Sequence, residues 1–108
     1  MPKFKVLLDE CLDKHLASEI HGCYVKTVVQ MGWSGLMNGK LLTEAQARFD
    51  VFITSDKNLS FQQNLQKYQI TVIVLHPIRN QLEDLKMLVP SLLKILSKPM
   101  DKKIIHVR

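Results

Sequence analysis

Two aspartates offer the chemistry that this sequence carries most plainly. Asp9 ends the run Phe4-Lys5-Val6-Leu7-Leu8, and Asp56 follows Val51-Phe52-Ile53-Thr54-Ser55. Short apolar and β-branched runs of this kind read as strands, so each carboxylate would leave a sheet at a strand's C-terminal end. On neighbouring parallel strands they would share one edge. Carboxylates that close repel, and they stay ionised together most readily around a cation; an all-oxygen donor set favours Mg²⁺ or Mn²⁺. Glu10, Glu44 and the amide oxygen of Asn38 are the groups that would complete or orient such a shell. A shell left partly open for water and a phosphate oxygen suits metal-assisted phosphodiester hydrolysis. Each residue also has a plainer reading: Asp9, Asn38 or Asn58 as a cap, Asp56 as a turn residue, Glu44 on an exposed helix face.

The elements that must position these groups alternate along the chain. Phe4 to Leu8 reads as a strand, and Leu12, Leu16 and Ile20, four apart, as an amphipathic helix closed by Gly22. Tyr24 to Val29 is a second strand, and the Gly-rich stretch from Met31 to Gly39 a loop. Leu41, Leu42, Ala45 and Phe49 share one face of a helix that Asn38 could cap; Val51 to Thr54 follows as a third strand. Phe61, Leu65 and Tyr68 mark another helical face. The unbroken apolar run Ile70 to Leu75 predicts a strand buried on both sides, stopped by His76-Pro77. Leu82, Leu85, Leu88, Leu92 and Leu96 continue as helix, broken near Pro90, which suits the first position of a second short helix. Ile104 to Val107 closes as a last strand.

This alternation over 108 residues predicts a single α/β domain spanning residues 1–108, with a mainly parallel sheet of about five strands covered on both faces. Ligands of such sheets bind beyond the C-terminal strand ends, which directs attention to Asp9-Glu10, Gln30 onward, Ser55-Asp56 and His76 to Arg79.

Charge adds a direction. The net charge of +5 lies wholly in the second half: residues 1–54 hold six basic and six acidic side chains, residues 55–108 nine and four. Lys94, Lys98, Lys102, Lys103 and Arg108 crowd the C-terminal part. A basic surface beside an acidic site suits a polyanion such as nucleic acid, while a merely solubilising basic tail fits equally well. Lys57, Asn58 and Arg79 stand where phosphates would be met, as do Gln62, Gln63 and Asn64. Trp33 would either stack on a base or pack its glycine-flanked loop onto the core. Cys11 and Cys23 form no CxxC pair, and the four histidines, 15, 21, 76 and 106, lack zinc spacing, so reduced structural thiols are expected. The only apolar run before Asp9 is too short for a signal peptide or a membrane span, which predicts a cytoplasmic protein without a membrane.

Spacing alone also permits a receiver-like phosphoacceptor domain, with an acidic pair after strand one and Asp56 after strand three. It fits poorly, because Lys98 follows a helical run instead of a strand and the chain leaves little room for five full strand–helix alternations.

Several longer segments carry a family likeness: Leu7-Leu8-Asp9-Glu10-Cys11, Met31-Gly32-Trp33-Ser34-Gly35, Asn38-Gly39-Lys40-Leu41-Leu42, Phe49 through Leu59, Phe61-Gln62-Gln63-Asn64-Leu65 and Leu82-Glu83-Asp84-Leu85. Together they span roughly residues 4–93, and the chain resembles a small PIN-like family catalogued as a domain of unknown function. The resemblance implies a three-layer α/β/α PIN-like fold and a Mg²⁺- or Mn²⁺-dependent ribonuclease. It further implies the toxin of a toxin–antitoxin pair, with a small antitoxin protein as partner and homodimerisation from family habit. By position, Asp9 and Asp56 match the acidic residues after strands one and three. Asn38 and Asn58 stand where relatives often have Asp, each change removing one negative charge while keeping an oxygen. At an effective dielectric near 20 a unit charge about 4 Å from a cation is worth on the order of 4 kcal/mol before solvation, so metal binding would weaken substantially. A second expectation from a different class therefore stands beside the ribonuclease: a non-catalytic PIN-like module that binds RNA or a protein.

Overall fold

A computed structural model describes residues 4–59, 65–98 and 104–108. Its strands are β1 (Lys5–Leu8), β2 (Tyr24–Thr27), β3 (Val51–Thr54), β4 (Thr71–Leu75) and β5 (Ile104–Val107). They form one sheet in the order β2-β1-β3-β4-β5, and every pairing is parallel. The architecture is thus α/β, as the alternating sequence pattern predicts. Five strands fit into 108 residues because each is only four or five residues long.

Strand alternation sorts the apolar residues into two cores. Val6, Leu8, Val51, Ile53, Ile73, Leu75 and Val107 face one layer, made by a 3₁₀ helix (Lys14–Glu19) with helices α2 (Leu82–Lys86) and α3 (Val89–Leu96). Leu7, Phe52, Val72 and Val74 face the other, where α1 (Asn38–Gln46) and the 3₁₀ turn Leu65–Lys67 supply Leu41, Leu42, Ala45 and Leu65. β3 and β4 are buried on both sides, which is why they read as uninterrupted apolar runs.

The winding reverses at β1. The chain steps from β1 to β2 toward one edge, then crosses back over β1 to β3 and continues through β4 to β5. The steps β3 to β4 and β4 to β5 run the same way but are covered on opposite faces, so they have opposite hands, although right-handed crossovers prevail in parallel sheets. One consequence is local: His106 alternates with Ile104 on the α1 side of β5 and is exposed there.

Several expectations are corrected. The Leu12–Ile20 segment is a six-residue 3₁₀ helix and not an α-helix. Its cap is Asp13, whose side chain accepts the His15 N–H at 2.9 Å, so the segment begins four residues later than a cap at Asp9 requires. β2 ends at Thr27, where Thr27 and Gln30 exchange side-chain to backbone hydrogen bonds that close a turn. Asn38 is the first residue of α1, Met37 taking the N-cap position without a side-chain cap. The Leu82–Leu96 run breaks at residues 87–88, and Pro90 sits in the first turn of α3, where a missing N–H costs nothing. Phe61, Gln62, Gln63, Asn64, Lys102 and Lys103 lie outside the described residues. Among the described residues no helix is long and apolar enough to cross a membrane.

Candidate functional site

A doubly wound parallel sheet opens a crevice beyond its C-terminal strand ends where the winding reverses, here between β1 and β3. Leu8 pairs with Ile53, and the Asp9 N–H donates to the Ile53 carbonyl at 2.9 Å, so Asp9 emerges level with Thr54, one strand away. Thr54 is fully buried, one of only two buried polar or charged side chains among the described residues. Its hydroxyl donates to Asp9 Oδ2 at 2.7 Å and accepts the Asp56 N–H at 3.0 Å. One hydroxyl therefore fixes the Asp9 carboxylate and the backbone that carries Asp56.

The rest of the edge is built around these contacts. The Glu10 N–H donates to Asp9 Oδ1 at 2.8 Å, giving both oxygens of Asp9 a donor. Asp56 Oδ1 accepts the Asn58 N–H at 3.0 Å, a turn that leads the chain away from β3. The thiol of Cys11 lies 3.5 Å from Asp9 Oδ2, 3.5 Å from Thr54 Oγ1 and 3.3 Å from Ser55 Oγ. Across the edge, Asn80 Nδ2 donates to the Cys11 carbonyl at 2.7 Å and ties the loop after β4 to the loop after β1. Glu10 Oε1 accepts the Gly35 N–H at 3.4 Å, drawing the glycine-rich loop toward the site. Gly32 and Gly35 have φ of +75° and +83°, a backbone region open to glycine and strained for other residues.

A groove of about 730 Å³ runs from this edge along the 3₁₀ helix, lined by Asp9, Glu10, Lys14, His15, Thr27 and Gln30 among others. His15 Nδ1 faces Asp13 Oδ1 at 2.8 Å; the hydrogen bonds from His15 hold the Asp13 carboxyl below its usual range.

The predicted site residues fare differently. Asp9 and Asp56 leave the sheet at the β1/β3 edge, Asp9 level with Thr54 and Asp56 two residues past it, with Glu10 following Asp9 in the chain. Asn38, half-buried, begins α1 at the end of that helix nearest the same edge, because α1 runs back from the C-terminal strand ends toward the start of β3. Glu44 lies six residues further along, about 9 Å down the helix axis, and is exposed. Lys57 and Asn58 are exposed in the turn after Asp56. Arg79 Nε reaches the largely buried Asp84 Oδ2 at 3.3 Å, which ties the arginine to α2 while most of its side chain stays exposed. Trp33 is half-buried, edge-to-face with Phe49 at 6.1 Å between centroids, and so pins its loop to the core instead of offering a free stacking platform. Lys98 is exposed two residues beyond α3, not at a strand end as a receiver-like site would need.

Thr54, Cys11 and Asn80 are members of this edge that motif reading passes over. Thr54 had a signal, being the one hydroxyl in the run Val51-Phe52-Ile53-Thr54; Asn80 had none. The carboxylates of this edge are oxygen donors of the kind Mg²⁺ and Mn²⁺ take, with the Cys11 thiol beside Asp9, but among the described residues no three His, Cys, Asp or Glu side chains gather around one point. The protein's share of a cation shell would come from Asp9 and Asp56. No family model matches the chain, and no curated protein or solved structure matches it either.

Proposed function

We propose that the chain is a PIN-like, divalent-metal-dependent ribonuclease acting at the β1/β3 edge. The observation that carries this reading is the Thr54 hydroxyl joining Asp9 to the Asp56 backbone, which holds two carboxylate-bearing loops in register at the end of the sheet. Thr54 is fully buried, so its hydroxyl is held among Asp9, the Asp56 N–H and the Cys11 thiol and away from water. Asp9 and Asp56 would hold Mg²⁺ or Mn²⁺, with the Asn38 amide and Glu10 orienting the rim. The cation would supply Lewis acidity toward the scissile phosphodiester and ease loss of a proton from the attacking water. The groove beside Lys14 and His15 would give the RNA strand a path.

The same reading makes the chain the toxin of a toxin–antitoxin pair, with a small antitoxin covering the edge, and places it in the cytoplasm. The test is cleavage of a mixed RNA pool by wild type, Asp9→Asn and Asp56→Asn, each with Mn²⁺, with Mg²⁺ and with EDTA, alongside growth on induction. Cleavage and growth arrest confined to wild type with metal are expected. A folded wild type that cleaves nothing moves the reading to the non-catalytic module, which the neutral Asn38 and Asn58 favour; salt-sensitive RNA binding without cleavage is its signature.

A further inference from the structure

The groove of about 730 Å³ beside Asp9 lies between the segment that holds the 3₁₀ helix and the turn that ends β2. Its size is that of pockets which take small organic molecules. Leu12, Ala17 and Val29 form its apolar lining, and Val29 is 63% exposed, one of few large apolar side chains left so open among the described residues.

Two polar side chains on the same lining are fixed by hydrogen bonds within the protein, and each keeps one end free. The Thr27 N–H is a donor, so the Gln30 atom that meets it at 2.9 Å is the acceptor Oε1; in return the Gln30 N–H donates to Thr27 Oγ1 at 3.1 Å. The amide nitrogen of Gln30, which carries two hydrogens, is therefore the end left for a ligand. Asp13 sorts the His15 ring in the same way. Its carboxylate accepts the His15 backbone N–H at 2.9 Å and lies 2.8 Å from Nδ1, so Nδ1 carries a proton and Nε2 is the free nitrogen. In the neutral ring Nε2 accepts. Both groups are oriented before a ligand arrives, which lowers the ordering cost of binding.

Charge narrows the choice of ligand. Asp9 and Glu10 stand against Lys14 on the lining, so the groove gathers no excess of positive charge that would draw an anion. The ligand that fits is neutral, with an apolar face, an acceptor for the Gln30 amide and a donor for His15. Each of the RNA bases carries a donor beside an acceptor on the edge of a flat ring. We infer that this groove is a nucleobase pocket, in which the Gln30 amide and the His15 imidazole read the base next to the phosphate cleaved at the Asp9–Asp56 edge. The inference rests on the ribonuclease reading for RNA as the source of the base; a free nucleoside has the same chemistry.

The test uses the full chain carrying Asp56→Asn, in EDTA, so that binding is read without cleavage. Adenosine, cytidine, guanosine and uridine are titrated separately, with ribose and inorganic phosphate as controls, while the Gln30 side-chain amide and the His15 ring are followed by NMR. Gln30→Glu is the discriminating variant: its carboxylate still accepts the Thr27 N–H, so the turn stands while the free donor is lost. His15→Ala removes the ring and keeps the backbone N–H that Asp13 accepts. At least one nucleoside should move both signals, and ribose and phosphate neither. Both variants should bind the preferred nucleoside about tenfold more weakly. Short single-stranded RNAs that differ at one position should bind in the same order of preference, and more tightly than the nucleosides. Nucleosides that act no differently from ribose, or variants that bind them as the parent does, overturn the pocket even if wild type cleaves RNA. RNA that binds no more tightly than the nucleosides assigns the groove to free nucleosides and overturns its role in RNA reading. RNA binding that follows base preference and weakens in Gln30→Glu, with no cleavage by wild type in Mn²⁺, keeps the pocket and removes the nuclease.

Discussion

Thr54→Val is the substitution whose outcome the structure determines most directly. Valine keeps the shape and the strand preference of threonine and removes only the hydroxyl. Three hydrogen bonds go with it: the one donated to Asp9 Oδ2 at 2.7 Å, the one accepted from the Asp56 N–H at 3.0 Å, and a weak one shared with the Cys11 thiol at 3.5 Å. The first is a bond to a carboxylate, worth about 1.5–3 kcal/mol, and the second a neutral one worth about 0.5–1.5 kcal/mol. Solvent reaches the half-buried Asp9 and recovers part of the loss, so roughly 2–3 kcal/mol of destabilisation is expected. For a domain near 100 residues this lowers Tm by roughly 10 °C. Thr54→Ser keeps the hydroxyl and loses a buried methyl, about 1 kcal/mol. Urea unfolding of the three proteins measures the stabilities, and RNA cleavage with Mn²⁺ measures the site. The valine variant should lose most of its cleavage and the serine variant little. A valine variant within about 0.5 kcal/mol of wild type, or one less damaged than serine, would refute the role given to the hydroxyl.

Three further outcomes follow from named contacts. Asn80→Ala removes the donor to the Cys11 carbonyl and should cost about 1 kcal/mol in urea unfolding, with faster amide exchange in residues 9–13, since nothing else described links the loop after β4 to that carbonyl. Gly35→Ala, at φ +83° with open space where the Cβ would stand, should cost about 1 kcal/mol from backbone strain alone; a neutral result would show that the loop takes another conformation. His76 is held below its ordinary range, chiefly by partial burial, so the unfolded chain binds the proton more readily; its contribution is present above the unfolded value near 6.5 and is lost as pH falls toward the folded value. Tm should therefore drop between about pH 7 and pH 5 in wild type and drop less in His76→Gln, a difference that scanning calorimetry would detect.

Sequence alone determined the elements. Four-residue apolar runs set β1 and β3, the run Ile70–Leu75 set β4 as a strand buried on both sides, and Pro90 set the break between α2 and α3. It also brought out Asp9 and Asp56 as residues that leave strands at their C-terminal ends. These are local properties, fixed by periodicity, β-branching and the geometry of proline, and they need no knowledge of neighbours. Where local signals compete, the outcome was not legible: the four-residue spacing of Leu12, Leu16 and Ile20 is that of an α-helix, yet Lys14–Glu19 is a 3₁₀ helix that starts after the Asp13 cap. Only the tertiary structure decided who meets whom. Pairing of β1 with β3 brought Thr54 under Asp9, the register of β4 with β5 brought His76 onto His106, packing on Phe49 took up Trp33, and the length of α1 carried Glu44 away from the edge. Contacts of that kind depend on which strand each crossover places beside which, a choice made by burial over the whole sheet and written in no single segment of the chain.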